Sequence, residues 1–239
     1  MNHITPTPAA RSTINTTTHV YLLLDRSGSM ASIQHEVIAG VNAFLTEQRG
    51  AGPNAKVTIV QFDSQNDQEV VVDHARIANV RPLTHHSFQP RGGTPLLDAT
   101  GLLIRRADRR ADRRMVQAKA PEDIVFVTVT DGQENQSSRF SRQDIKKLVT
   151  AREADGWTFV FLSSDLDAYA DAEHLGYTTR GMQVFSTDGR GAELAFASMS
   201  DKLVNHRGRV AAGMAAPAAG FFEDDKVAEA DRSERLGDI

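Results

Sequence analysis

Short apolar runs alternating with segments of helical periodicity predict an α/β fold. The expected form is a doubly wound, mostly parallel central sheet flanked by helices, Rossmann-like, with one antiparallel edge strand. Three observations carry this. Residues 19–25 (HVYLLLD) and 123–130 (DIVFVTVT) are almost continuously apolar, as strands covered on both faces must be. Each is followed by a stretch with helical spacing of its apolar residues. The run at 69–73 (EVVVD) follows 56–62 (KVTIVQF) after only a turn, which suits an antiparallel edge hairpin and leaves no room for a crossover.

The elements follow in order. After the first strand, Ile33, Val37, Ile38, Val41, Phe44 and Leu45 recur at helical spacing, and Gly50 and Gly52 close that helix. The hairpin comes next. A polar loop then ends in Gly92-Gly93-Thr94-Pro95, with proline where a helix accepts it first and Thr94 placed as its cap. The helix face reads Leu96, Thr100, Leu103, Ile104, Ala107, Ala111 and Met115. Strand 123–130 ends at the turn Asp131-Gly132. A helix around Ile145, Leu148 and Val149 leads to a buried strand at 157–162. A helix over 168–175, a short strand at 183–185 and a helix over 192–204 complete the pattern.

With 239 residues and roughly 150 residues per domain, one large α/β domain fits the length. We expect a polar leader over residues 1–17, a domain over 18–206, and a Gly/Ala-rich and acidic tail over 207–239. Hydrophobic residues make up 40% of the chain, enough to exclude a disordered one. Net charge is −4, which gives no global sign of nucleic-acid or membrane binding. There is no cysteine, so disulfides, thiolate metal sites and cysteine nucleophiles are excluded. No run approaches a membrane span and no secretory h-region is evident, so the expected location is the cytoplasm.

Three features fall at the carboxyl edge of the expected sheet, where open α/β folds bind ligands. They are Asp25-Arg26-Ser27-Gly28-Ser29, Thr94 before the long helix, and Asp131 after the fourth strand. Singly, each has an ordinary role as a cap or turn residue. Jointly, Asp25, Ser27, Ser29, Thr94 and Asp131 form a hard, all-oxygen set suited to Mg²⁺, Mn²⁺ or Ca²⁺. Two aspartates balance a divalent ion. With three hydroxyls they supply about five positions of an octahedron and leave a sixth open.

This set, Asp25-x-Ser27-x-Ser29 with Thr94 in Gly-Gly-Thr-Pro and Thr130-Asp131-Gly132, resembles the metal-ion-dependent adhesion site of von Willebrand factor type A (VWA) domains. The resemblance covers roughly residues 18–205, and LLLDRSGSM is similar to the bacterial branch of the family. It implies Mg²⁺ ligated by Ser27, Ser29 and Thr94, with Asp25 and Asp131 acting mostly through water. It also implies an acidic residue of a protein partner in the open position, and rim residues Arg26, Arg91, Gln133, Glu134 and Asn135 around the ion. Bacterial members working beside AAA-type ATPases make such a system the implied partner. The function expected is a non-enzymatic, metal-dependent protein-binding module. Two alternatives remain: a Mg²⁺-dependent phosphatase-like hydrolase using Asp25, and a scaffold with a vestigial metal site.

Residues 105–114 (RRADRRADRR) place six arginines on the long helix. Asp108 and Asp112 sit three residues after Arg105 and Arg109, within pairing reach, and the remaining arginines are expected on a solvated face. Two further features read as ordinary structure: His85-His86 as a loop pair without metal-ligand spacing, and Trp157 as strand packing.

Overall fold

The computed structural model describes residues 16–132, 134–164, 172–185, 191–214 and 221–222. A six-stranded sheet runs through its centre in the order β3-β2-β1-β4-β5-β6. The strands are β1 (Thr18–Asp25), β2 (Ala55–Asp63), β3 (Asn66–Arg76), β4 (Asp123–Thr130), β5 (Thr158–Ser163) and β6 (Met182–Val184). All neighbours pair in parallel except β2 and β3, the antiparallel edge. Among the described residues the two faces are covered by α1 (Gln34–Gly50), α2 (Leu96–Val116), α3 (Arg142–Ala154) and α4 (Gly191–Ala211).

The period-two alternation of a strand explains why two cores form. From β1, Val20, Leu22 and Leu24 join one hydrophobic cluster with α1 and α4, while Tyr21 and Leu23 join the other with α2 and α3. Strands β1 and β4 are buried along almost their whole length, which is why their sequences show no polar alternation. β3 is only half-buried and extends well beyond residues 69–73, because its edge position lets polar residues continue the ladder.

The last helix also outruns its expectation. It begins at Gly191 and reaches Ala211, with His206, Arg207 and Val210 buried. Arg207 holds the end of α1 through the Gln48 carbonyl at 2.8 Å and the Gly52 carbonyl at 2.8 Å. Polar contacts rather than apolar periodicity therefore extend it. Phe222 is buried, and its N–H donates to the Arg180 carbonyl at 2.9 Å. The leader to residue 15, the first part (168–171) of the helix expected over 168–175 and most of the tail lie outside the described residues.

α1 and α4 approach closely because Gly40 has no side chain. A Cβ there would sit 2.8 Å from Phe196 Cγ, inside van der Waals contact. At the amino edge of the sheet, Glu122 gathers cations: Arg110 at 3.0 Å, Lys56 at 2.9 Å and Arg114 at 3.2 Å. His19 adds a contact through Nδ1 at 3.2 Å, and its Nε2 lies 2.9 Å from Thr58 Oγ1. A carboxylate only accepts, so His19 Nδ1 carries the proton. Burial works to raise Glu122, but hydrogen bonds from His19, Arg110 and Lys56 outweigh it and hold the carboxyl below the ordinary glutamate range. Burial also lowers His19, so the ring is neutral here.

This network corrects the expectation of a solvated arginine face for Arg106, Arg110 and Arg114, while Arg109 and Arg113 stay exposed. Arg110 and Arg114 turn onto Glu122, Arg106 reaches Asp73 at 2.8 Å, and Arg105 lies 4.5 Å over the Phe140 ring. Asp108 pairs across to Arg152 of α3 at 3.3 Å, because Arg105 is taken by the ring.

Two outcomes follow. Gly40→Ala lowers unfolding stability by about 1–3 kcal/mol, read from the urea midpoint at constant m, since Phe196 must shift off its packed position. Glu122→Gln costs about 3 kcal/mol in the same assay, because three cations lose a buried partner at once.

Candidate metal centre

The order of connections reverses between β1 and β4: β1 leads through α1 to β2 on one side, and β4 leads through α3 to β5 on the other. Beyond the carboxyl ends of these two strands lies the crevice of a doubly wound sheet. Parallel register pairs Leu24 with Val129, so Asp25 and Thr130 become neighbours one residue later.

Asp25 is fully buried. Its Oδ1 accepts from the Ser27 N–H at 2.7 Å, and its Oδ2 accepts from Thr130 Oγ1 at 2.6 Å. Burial pushes this carboxyl up to about 7, against the hydrogen bonds from Thr130 and Ser27 and with help from the charge on Asp131. From there the polar set steps outward. Ser27 Oγ lies 3.2 Å from Ser29 Oγ, and Ser29 Oγ donates to Asp131 Oδ1 at 2.8 Å. A Cβ on Gly132 would lie 3.7 Å from Ser29 Oγ and 3.8 Å from Thr94 Oγ1, so Thr94 closes the cluster from the third loop. All five predicted residues thus meet at one edge. Asp25, Ser27 and Thr94 are buried, Asp131 is half-buried and Ser29 is exposed.

Thr94 does not cap α2, contrary to its sequence position. The helix begins at Leu96, and its first amides are taken from another loop: Leu97 N–H donates to Glu134 Oε2 at 2.9 Å and Asp98 N–H to Ser137 Oγ at 3.0 Å. Asp98 returns the exchange by accepting from the N–H groups of Ser138, Arg139 and Phe140, each at 2.9 Å. Asn135 Oδ1 accepts from the Thr94 N–H at 2.9 Å, and the Asn135 N–H donates to the Thr94 carbonyl at 3.1 Å.

Glu134 and Asn135 therefore bind the loops to each other instead of facing an ion. Arg26 differs in the same way. Its buried side chain turns toward β2 and reaches Asp63 at 2.6 Å and Glu69 at 2.7 Å, and Arg91 meets the same Asp63 at 3.0 Å. The guanidinium needs carboxylates that lie on the hairpin, which is why it leaves the rim. Gln133 lies outside the described residues.

The donor set is made of carboxylate and hydroxyl oxygen alone. Among the described residues no group of three or more His, Cys, Asp or Glu could hold a metal ion, so any ion here depends on the serine and threonine hydroxyls. Such a set fits a hard divalent cation and fits zinc or copper poorly. Sequence reasoning missed the role of Thr130, which lies inside the Thr130-Asp131-Gly132 motif but contacts Asp25 only through strand register. It also missed Asp98 and Asp63, whose partners are 40 and 37 residues away in the chain.

No protein-family model and no curated protein matches the sequence. Solved structures do match. The pilus adhesin SpaC of Lactobacillus rhamnosus GG, in its open conformation, superposes with a TM-score of 0.59 at 15% identity, over 79% of this chain and 30% of the adhesin. A von Willebrand factor type A protein from Catenulispora acidiphila gives 0.51 at 14% identity, over 79% of this chain and 43% of that one. The chain has the VWA fold. Proximal thread matrix protein 1 from the mussel byssus gives 0.51 at 14% identity, over 81% and 48% of the two chains. The present chain spans less than half the length of each of these proteins. Among its described residues no helix is long and apolar enough to cross a membrane.

Asp25 gives this edge a pH signature. An aspartate in the unfolded chain titrates near 3.9, whereas Asp25 holds its proton up to about 7. Between these values the native state binds more protons than the unfolded one, so this group's contribution to stability falls as pH rises. Asp25→Asn removes that loss. In EDTA, the stability of the variant relative to wild type rises from pH 5 to pH 7 and levels off above it. A difference that stays constant over this range would contradict the buried, proton-retaining carboxyl.

Proposed function

We propose that the chain is a metal-ion-dependent protein-binding module. Ser27, Ser29 and Thr94 hold Mg²⁺, or Mn²⁺ or Ca²⁺, and Asp25 and Asp131 act mostly through water. The observation that carries this reading is the meeting of three loops at the β1/β4 crevice, with the two serine hydroxyls 3.2 Å apart and Asp131 bonded to one of them. The bound ion supplies Lewis acidity, and neutral hydroxyls leave more of it than carboxylates would. The exposed side, at Ser29, is where a carboxylate of a partner protein would complete the coordination. The pilus adhesin among the similar structures supports an interaction role. An AAA-type ATPase system bearing such an acidic residue is the partner class implied by the resemblance in the sequence.

The burial of Asp25 weighs against the phosphatase-like alternative. Both of its oxygens are engaged and the side chain has no solvent exposure, which denies a phosphoryl group an in-line approach. The chain's own residues instead hold the loops still: Thr130 and the Ser27 amide fix Asp25, and Asn135 fixes Thr94.

A ligand that binds only the folded state raises its melting point. At one hundred times its dissociation constant, Mg²⁺ adds about 2.7 kcal/mol, or about 5–10 °C for a domain of this size. The EDTA-stripped protein is expected to show that rise on adding Mg²⁺, and Ser29→Ala and Asp131→Asn are expected to lose it while melting normally without metal. No shift in wild type, with or without an acidic peptide, would leave the vestigial-scaffold reading standing.

A further inference from the structure

At the opposite end of α2 from the metal centre, a cavity of about 630 Å³ opens at the amino edge of the sheet. It lies between the end of α2, the 118–122 segment and the turn that joins α3 to β5. Its walls include Tyr21, Ala111, Met115, Ile124 and Trp157. Met115, at 73% exposure, is among the most exposed large apolar side chains of the described residues and stands at the mouth.

Two buried polar atoms of the lining have no hydrogen-bond partner in the protein: the Tyr21 hydroxyl and Arg114 Nε. Arg114 Nε can only donate and the Tyr21 hydroxyl has a proton to donate, so an acceptor oxygen would satisfy either. A buried donor without a partner costs about 1–3 kcal/mol, a cost that an acceptor in the cavity would relieve. The charges agree. Glu122 meets both Arg110 and Arg114 of the lining, which leaves one cation in excess at that wall. Of the other charged lining residues, Asp155 shares Arg152 with Asp108, and Asp112 and Lys119 contribute one charge of each sign.

We propose that this cavity binds a small amphipathic carboxylate, with its apolar body against Trp157, Ile124 and Met115 and its oxygens toward Tyr21 Oη and Arg114 Nε. The volume is that of an ordinary small-molecule site, and the combination of apolar walls with a few convergent polar groups is what such sites use. The proposal stands apart from the metal reading: it uses the other end of the sheet and none of the same residues.

Trp157 is the single tryptophan of the chain and lies in the cavity wall, so its fluorescence reports on this site. The full chain is titrated with octanoate and, in parallel, with 1-octanol, which has the same apolar tail and no charge. The expected result is a saturable change with octanoate, about tenfold tighter than with 1-octanol, as a charge-assisted hydrogen bond provides. Tyr21→Phe keeps the ring packing and weakens octanoate about tenfold without changing octanol binding. Ala111→Phe, which fills the space from an exposed helix position, abolishes both responses while leaving the melting temperature near wild type. No saturable change in wild type, equal affinity for acid and alcohol, an unaffected Tyr21→Phe or a response surviving Ala111→Phe would each overturn the proposal.

Discussion

The hydrogen bond from Thr130 to Asp25, 2.6 Å long and out of contact with solvent, ties the carboxyl ends of β1 and β4 together. The arrangement above it depends on that join. β1 and β4 carry the chain in opposite directions across the sheet, so their ends part and leave a crevice. With Asp25 held on one side, the Ser27 amide folds back onto the same carboxylate and sets the spacing of the two serines. Asp131, the residue after Thr130, is then within reach of Ser29. A carboxyl buried this deeply is costly to ionise without compensation. Its elevated proton affinity is the sign of that cost. A divalent cation beside it would supply the missing compensation, which is the physical reason to read the edge as a cation site rather than as a set of turns.

A second layer keeps the loops in place without touching the crevice. Glu134 and Ser137 cap α2, and Asp98 of α2 caps the segment that carries Glu134 and Ser137. The exchange satisfies amides on both sides that a helix start and an irregular loop would otherwise leave open. It also relieves Thr94 of capping. On the other flank, Asp63 accepts from Arg26, Arg91 and the amides of Gln65 and Asn66, fastening the β2–β3 turn to the loop that follows Asp25. Two carboxylates, Asp98 and Asp63, thus brace the crevice from outside, while Asp25 and Asp131 lie within it.

These bracing residues mark the limit of what the sequence discloses. Strand β4 stands at residues 123–130 as expected because an unbroken apolar run bounded by Pro121 and Asp131-Gly132 has few other readings. The convergence of Asp25, Ser27, Ser29, Thr94 and Asp131 at one edge was legible because each falls at a strand or helix end, where local chemistry shows. The roles of Asp98, Glu134 and Arg26 were not, since nothing local distinguishes a capping carboxylate from an exposed one. Thr94 was assigned to the helix for the same reason: Thr-Pro at a helix start is a sound local signal, and a glutamate 40 residues on displaced it. The extra length of α4 and β3 escaped because polar partners rather than apolar period sustain them.

The arginine run of α2 shows how one helix serves both ends of the molecule. Over 21 residues α2 extends about 31 Å, from the carboxyl edge to the amino edge of the sheet. Its dipole leaves partial positive charge at Leu96 and partial negative charge near Val116. Glu134 answers the first, and Arg113 and Arg114 answer the second. Arginines so placed would repel one another if they had only the dipole to meet. Glu122, arriving just before β4, supplies the carboxylate that lets Arg110 and Arg114 converge with Lys56 at a buried point. Of the run that reads in sequence as a basic surface, Arg110 and Arg114 therefore form a clamp between a helix end and a strand start, while Arg105, Arg109 and Arg113 stay exposed. The clamp's residual positive charge is directed at the foot of the sheet, and the crevice that holds Asp25 and Asp131 lies at the far end of the helix from it.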